Sequence, residues 1–138
     1  MSILQEVHFG KHYFEIAMIL RQSIFINGLL WGTETWYNLS NKEVKDLEAL
    51  DKILLRRILS VPVSVPTALL YLELGIVPLS YIIQARRIMF LQYILKRKSD
   101  DLLRRFFEAQ CRKPSKNDWC LTVKDDIRSF IKIIKNSY

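Results

Sequence analysis

The residues able to do chemistry are few, and none of them forms a complete site. His8 and His12 are four apart, the spacing that places two metal ligands on one helix face. No HExxH pattern or third ligand accompanies them, so they read as two imidazoles near a helix start rather than a metal site. Cys111 and Cys120 are separated by eight residues, outside the usual C-x2–4-C spacing; they read as two buried thiols in neighbouring helices. Asp100-Asp101 and Asp125-Asp126 are adjacent carboxylates, the residue type that holds metal ions in polymerases and nucleases. Each pair falls in the first turns of an expected helix, where acidic groups are favoured for dipole reasons alone. Neighbouring helical side chains also diverge by about 100°. No Gly-rich phosphate loop and no G-x-S-x-G elbow occurs. No metal, no cofactor and no catalytic residue is therefore expected.

Basic residues carry the strongest signal. Arg56-Arg57, Arg86-Arg87, Lys96-Arg97-Lys98, Arg104-Arg105 and Arg112-Lys113 recur through the second and later parts of the chain. The segment Ser80 to Lys98 holds five basic groups and no acidic one. Such groups neutralise phosphates and gain affinity by counterion release. Helix-end placement explains Arg56, Arg57 and the 96–98 triplet without any ligand, but not the mid-helix Arg86 and Arg87. The whole chain carries 21 basic and 14 acidic groups, net +7. Residues 1–41 hold two basic and three acidic groups, net −1; the remainder hold 19 and 11, net +8. A field of that sign attracts polyanions.

Helices must position these groups. The chain has 138 residues, half of them hydrophobic, with only four Gly and four Pro, which suits one all-α domain and not a turn-rich β fold. An apolar run from about Lys11 to Leu30 predicts a central helix with Ile16, Leu20, Ile24 and Asn27 on one stripe. The most apolar stretch, Tyr13 to Trp31, is interrupted by Glu15, Arg21 and Gln22, so it falls short of the about 18 apolar residues of a membrane span. Charged residues Glu6, Lys11 and Glu15 likewise argue against a leader, and an intracellular setting with reduced thiols is expected. Trp31 to Trp36 reads as a connector anchored by two indoles. Ser40 and Glu43 form a capping box for a helix to about Ser60, with Val44, Leu47, Leu50, Leu54 and Ile58 buried and Leu39 stapled to Val44. A short helix follows over Pro66 to Leu74, with Ser64 a cap and Gly75 at C′. Another opens at Pro78 or Ser80, reaches about Lys98, and turns inward Ile82, Ile83, Ala85, Met89, Phe90, Tyr93 and Ile94. Asp100 and Asp101 start one that ends near Arg112. Asn117 caps the last, which carries Trp119, Val123, Ile127, Phe130, Ile131 and Ile134. Six or seven helices with short connections imply an irregular or orthogonal bundle within a single domain.

The series Ile26-Asn27-Gly28-Leu29-Leu30-Trp31-Gly32-Thr33-Glu34-Thr35-Trp36, then Leu47-Glu48, then Leu55-Arg56-Arg57-Ile58-Leu59 resembles the segment after the catalytic palm in reverse transcriptases of non-LTR (LINE-type) retrotransposons. Ala68 to Pro78 and Ala85 to Leu91 look like its continuation, so the likeness runs from about Ser2 to Asp126. It implies a thumb (1–61) followed by basic helices (62–138). In that family the thumb grips the template–primer duplex while the palm performs phosphoryl transfer. The palm's aromatic-x-Asp-Asp turn is absent, so the resemblance implies binding without catalysis. Glu34 and Trp36 are expected to fix the connector.

The expectation is thus a non-catalytic nucleic-acid-binding piece of an RNA-directed DNA polymerase. Its backbone contacts would come from Arg86, Arg87, Lys96, Arg97, Lys98, Arg104 and Arg105, and its partners would be RNA, DNA or a hybrid and a polymerase palm, not a membrane. The alternative is a helical interaction module that self-associates through Phe25, Leu29, Trp31 and Trp36, since exposed apolar patches mark interfaces.

Overall fold

The computed structural model describes residues 12–116 and 118–136. It is all-α, with no strand among the described residues. The elements are α1 (Tyr13–Leu20), a π-helical turn (Arg21–Ile26) continued by a short α turn (Asn27–Leu29), a 3-10 turn (Thr33–Thr35), α2 (Asn41–Leu59), α3 (Thr67–Leu74), α4 (Leu79–Leu95), α5 (Leu102–Arg112) and α6 (Trp119–Asn136). They gather into two compact units that interleave along the chain. The first holds 12–31 with Glu48–Ile76, the second Gly32–Leu47 with 77–136.

In the first unit, the stripe expected from helical spacing is corrected. Ile24 is 68% exposed, and the buried series is Ala17, Arg21, Ile26 and Leu30. Its steps are four, five and four. The step of five is the π-turn, in which the Asn27 amide donates to the Gln22 carbonyl five residues back, so one extra residue is looped out per turn. Arg21 faces inward because Asp51 of α2 meets it: Nε donates to Oδ1 at 2.8 Å and Nη2 to Oδ2 at 2.6 Å. The register of α2 shifts with it. Asp51, Leu55 and Ile58 are buried, whereas Leu50, expected inside, is 49% exposed.

Helix ends follow local chemistry closely. The Ser40 amide and hydroxyl both donate to Glu43 Oε2, and the Glu43 amide donates back to Ser40 Oγ, the reciprocal box that satisfies first-turn donors. These bonds, the Ser40 hydroxyl first, hold the Glu43 carboxyl below its ordinary range. At the other end of α2, Val61 donates to Arg56 O and Ser60 to Arg57 O, a Schellman motif whose left-handed position (φ +54°) is filled by Ser60. The same motif closes α3, with Gly75 at φ +60°. There Pro66, not Ser64, stands at the N-cap. Arg56 bridges the intervening loop, donating to Val65 O and Thr67 Oγ1.

The second unit is built on Trp119. Ile94, Trp119 and Val123 form the buried centre, with Phe90, Leu91, Phe107 and Ile127 packed on it. Phe90 and Phe107 meet the indole edge-on, at 5.7 and 6.0 Å between ring centres. The indole Nε1 donates to the Glu34 carbonyl at 2.8 Å, so the buried ring keeps a hydrogen-bond partner. That bond ties the 3-10 turn to α6. Trp36 is half-buried, but Trp31 at the end of the first unit is 82% exposed and anchors nothing. On α4, Ile83 and Ile94 are buried as expected, while Met89 and Tyr93 face solvent.

Candidate nucleic-acid interface

Two kinds of basic residue emerge from the later helices. Arg87 belongs to the core. It is 7% exposed, donates Nε to Asp126 Oδ2 at 2.6 Å and Nη2 to Asp126 Oδ1 at 3.0 Å, and reaches the Trp36 carbonyl at 3.5 Å. Its charge is neutralised inside the unit, so it is removed from the expected backbone contacts. Its position on the stripe Leu79, Ile83, Arg87, Ile94 explains why a mid-helix arginine occurs there at all. Arg86 beside it is half-buried.

The remaining expected residues sit where α4 meets α5. The helix α4 stops at Leu95, leaving carbonyls with no intrahelical partner. Arg104, from the first turn of α5, supplies the donors: Nη1 reaches Leu95 O at 2.7 Å and Arg97 O at 3.0 Å, while Nε holds Glu108 at 3.0 Å. Asp101 caps α5 by accepting the Leu103 amide at 2.9 Å. These bonds fix the turn that carries Lys96, Arg97 and Lys98, all exposed. Arg97 lies 4.4 Å from the Tyr93 ring centre and 3.7 Å from Asp101. Lys96, Lys98 and the exposed Arg105 have no acidic partner among the described residues. Together Lys96, Arg97, Lys98, Asp100 and Asp101 line a shallow concavity of about 380 Å³.

Of the seven expected residues, the structure therefore brings Lys96, Arg97, Lys98 and Arg104 to one corner, with Arg105 on the adjoining turn. Arg104 serves partly as a cap. Exposed lysines without an acidic partner can settle against phosphate oxygens, whereas a buried bidentate arginine cannot. Single-sequence reading could not separate the two kinds by residue type. The distinguishing signal was position, since Arg87 lies on the apolar stripe of its helix and Lys96 lies beyond the last apolar residue.

Three of the four carboxylates in the acidic pairs are engaged separately. Asp101 caps a helix, Asp126 holds Arg87, and Asp125 meets Arg128 at 3.1 Å. No group of three or more His, Cys, Asp or Glu side chains among the described residues is placed to hold a metal ion. His12 bonds to Glu15 at 3.1 Å; His8 lies outside the described residues, as does the expected Asn117 cap. Cys111 is exposed and Cys120 half-buried, which corrects the expectation of two buried thiols. No single helix among the described residues is long and apolar enough to cross a membrane. No family model matches the chain, and no curated protein or solved structure matches it.

Proposed function

We propose that this chain is a non-catalytic, nucleic-acid-binding helical part of a reverse transcriptase of the LINE type, holding the sugar-phosphate backbone while a separate palm carries out polymerisation. The observation that carries the reading is the turn 96–98. Three consecutive exposed cations are presented there on a rigidly capped corner, with Arg105 exposed on the next helix. Contacts of this kind position a duplex without reading its sequence, so binding should be nearly indifferent to base order.

The test is a fluorescence titration of a labelled duplex at several salt concentrations, with the wild-type chain and a Lys96→Ala/Lys98→Ala/Arg105→Ala variant. Each lost phosphate contact lowers the slope of log K against log salt by about 0.9. A reduction of roughly 2–3 is expected for the triple variant if all three residues contact phosphate. A slope unchanged by the variant, or wild-type affinity that does not fall with salt, overturns the proposal.

A specific observation favours a second reading in the first unit. Ile19, Ile24 and Trp31 are 63%, 68% and 82% exposed, large apolar side chains of the kind that mark interfaces. Self-association through this segment predicts a concentration-dependent mass in sedimentation equilibrium that Trp31→Ala reduces. A monomer at all concentrations removes this reading and leaves the first untouched.

A further inference from the structure

The second unit holds one feature that backbone binding does not use. Cys111 lies in the last turn of α5 and Cys120 in the first turn of α6, with only the 113–118 connection between the helices. Both thiols line one cleft of about 250 Å³, together with Leu91, Phe107, Pro114 and Lys124. Cys120 lies near enough to Cys111 to raise the pKa of its thiol. From this juxtaposition we infer that Cys111 and Cys120 are an intrachain modification site, a dithiol that closes to a disulfide pinning the end of α5 to the start of α6.

The geometry favours closure. A disulfide needs its sulfurs at about 2.05 Å and its Cβ atoms near 3.8 Å, and both cysteines already line the same small cleft. The short connection keeps both cysteines in place while the fold persists. The chemistry is thiol–disulfide exchange with a low-molecular-weight disulfide such as oxidised glutathione. One protein thiolate attacks a sulfur of that disulfide and releases one small thiol, leaving a mixed disulfide. The second protein thiolate then attacks the protein sulfur of the mixed disulfide and releases the other small thiol. Two protein thiols lose two protons and two electrons; the small disulfide accepts the electrons and leaves as two thiols.

The surroundings also set the conditions. Local burial, then the neighbouring Cys120 thiol, push the Cys111 thiol up to about 12, although the residue as a whole is exposed. Exchange passes through the thiolate, so Cys111 rests as a thiol at neutral pH and reacts faster as pH rises. Asp118 adds to the same effect and Lys124 opposes it.

The experiment uses the full chain. It is incubated with oxidised glutathione at mildly alkaline pH, alkylated, and digested with trypsin under non-reducing conditions. The expected product is the peptide 106–112 joined to the peptide 117–124 through their cysteines, from a chain that stays monomeric. Its yield should exceed that in urea by about tenfold or more, because the fold holds the pair together. Cys120→Ser should give only a glutathione adduct on Cys111. Adducts on both cysteines without the linked peptide, disulfide dimers in place of the internal bond, or equal yields in native buffer and urea would each overturn the inference.

Discussion

Removing the Asp126 carboxylate tests the assignment of Arg87 most directly. In the native chain the guanidinium makes two bonds to that carboxylate, at 2.6 and 3.0 Å, with the two side chains 8% and 7% exposed. Asp126→Ala leaves a charged group in the interior with only the Trp36 carbonyl at 3.5 Å for company. Breaking a buried pair from one side costs about 3–5 kcal/mol. At roughly 4 °C per kcal/mol for a unit of this size, the melting temperature should drop by roughly 12–20 °C. Arg87→Met should cost a similar amount, since it strands the carboxylate instead. The double variant Arg87→Met/Asp126→Leu should recover most of the loss, because an apolar pair of similar volume removes both desolvation terms. Circular dichroism melts of the four proteins measure these losses and the recovery. A core role also predicts that the folded double variant binds duplex with an unaltered salt slope. An Asp126→Ala loss below about 1 kcal/mol, or a salt slope reduced in the double variant, refutes the reasoning and returns Arg87 to the binding surface.

Further outcomes follow from the helix ends and from one buried phenol. Ser60 occupies a left-handed position at φ +54°, so Ser60→Gly should raise stability by about 0.5–1 kcal/mol in urea unfolding; a loss would mean the serine side chain matters there. The Glu43 carboxyl is held low by Ser40, so its contribution is complete above the ordinary glutamate range and disappears as pH falls through its depressed value. The stability gap between wild type and Glu43→Gln should therefore close on acidification, and a constant gap would contradict the cap. Tyr71 is pushed up to about 12, by burial first and then by Asp51. Its folded form keeps a proton that the unfolded chain releases sooner, so stability should fall between about pH 10 and 12. Tyr71→Phe should flatten that fall, and because the Tyr71 hydroxyl is buried with no hydrogen-bond partner, the variant should cost little at neutral pH. Urea melts across alkaline pH check both statements.

Helix boundaries were legible because their causes are local. Ser40 with Glu43, Asp101 before α5 and Gly75 after α3 act on backbone groups within a few residues. The register of the buried faces was not legible, because its causes are distant. Arg21 and Asp51 are 30 positions apart, Arg87 and Asp126 are 39 apart, and hydropathy counts all four as surface residues. Their inward placement makes Arg21 part of a stripe that apolar spacing assigned elsewhere. The same blindness joined Arg87 to the surface cations. What could have been read is the anomaly itself, since Asp51 falls in line with Leu47, Leu55 and Ile58, where a carboxylate survives only with a partner.

The wide turn at Arg21–Ile26 has an evolutionary corollary. Shortening an ordinary helix by one residue swings everything downstream about a third of the way round its axis. Here the same excision between Gln22 and Phe25 would convert the step of five into a regular step of four, and Ala17, Arg21 and their successors would stay on the inner side. The segment behaves like an insertion that the fold has absorbed, and a descendant lacking that residue would inherit the same interior.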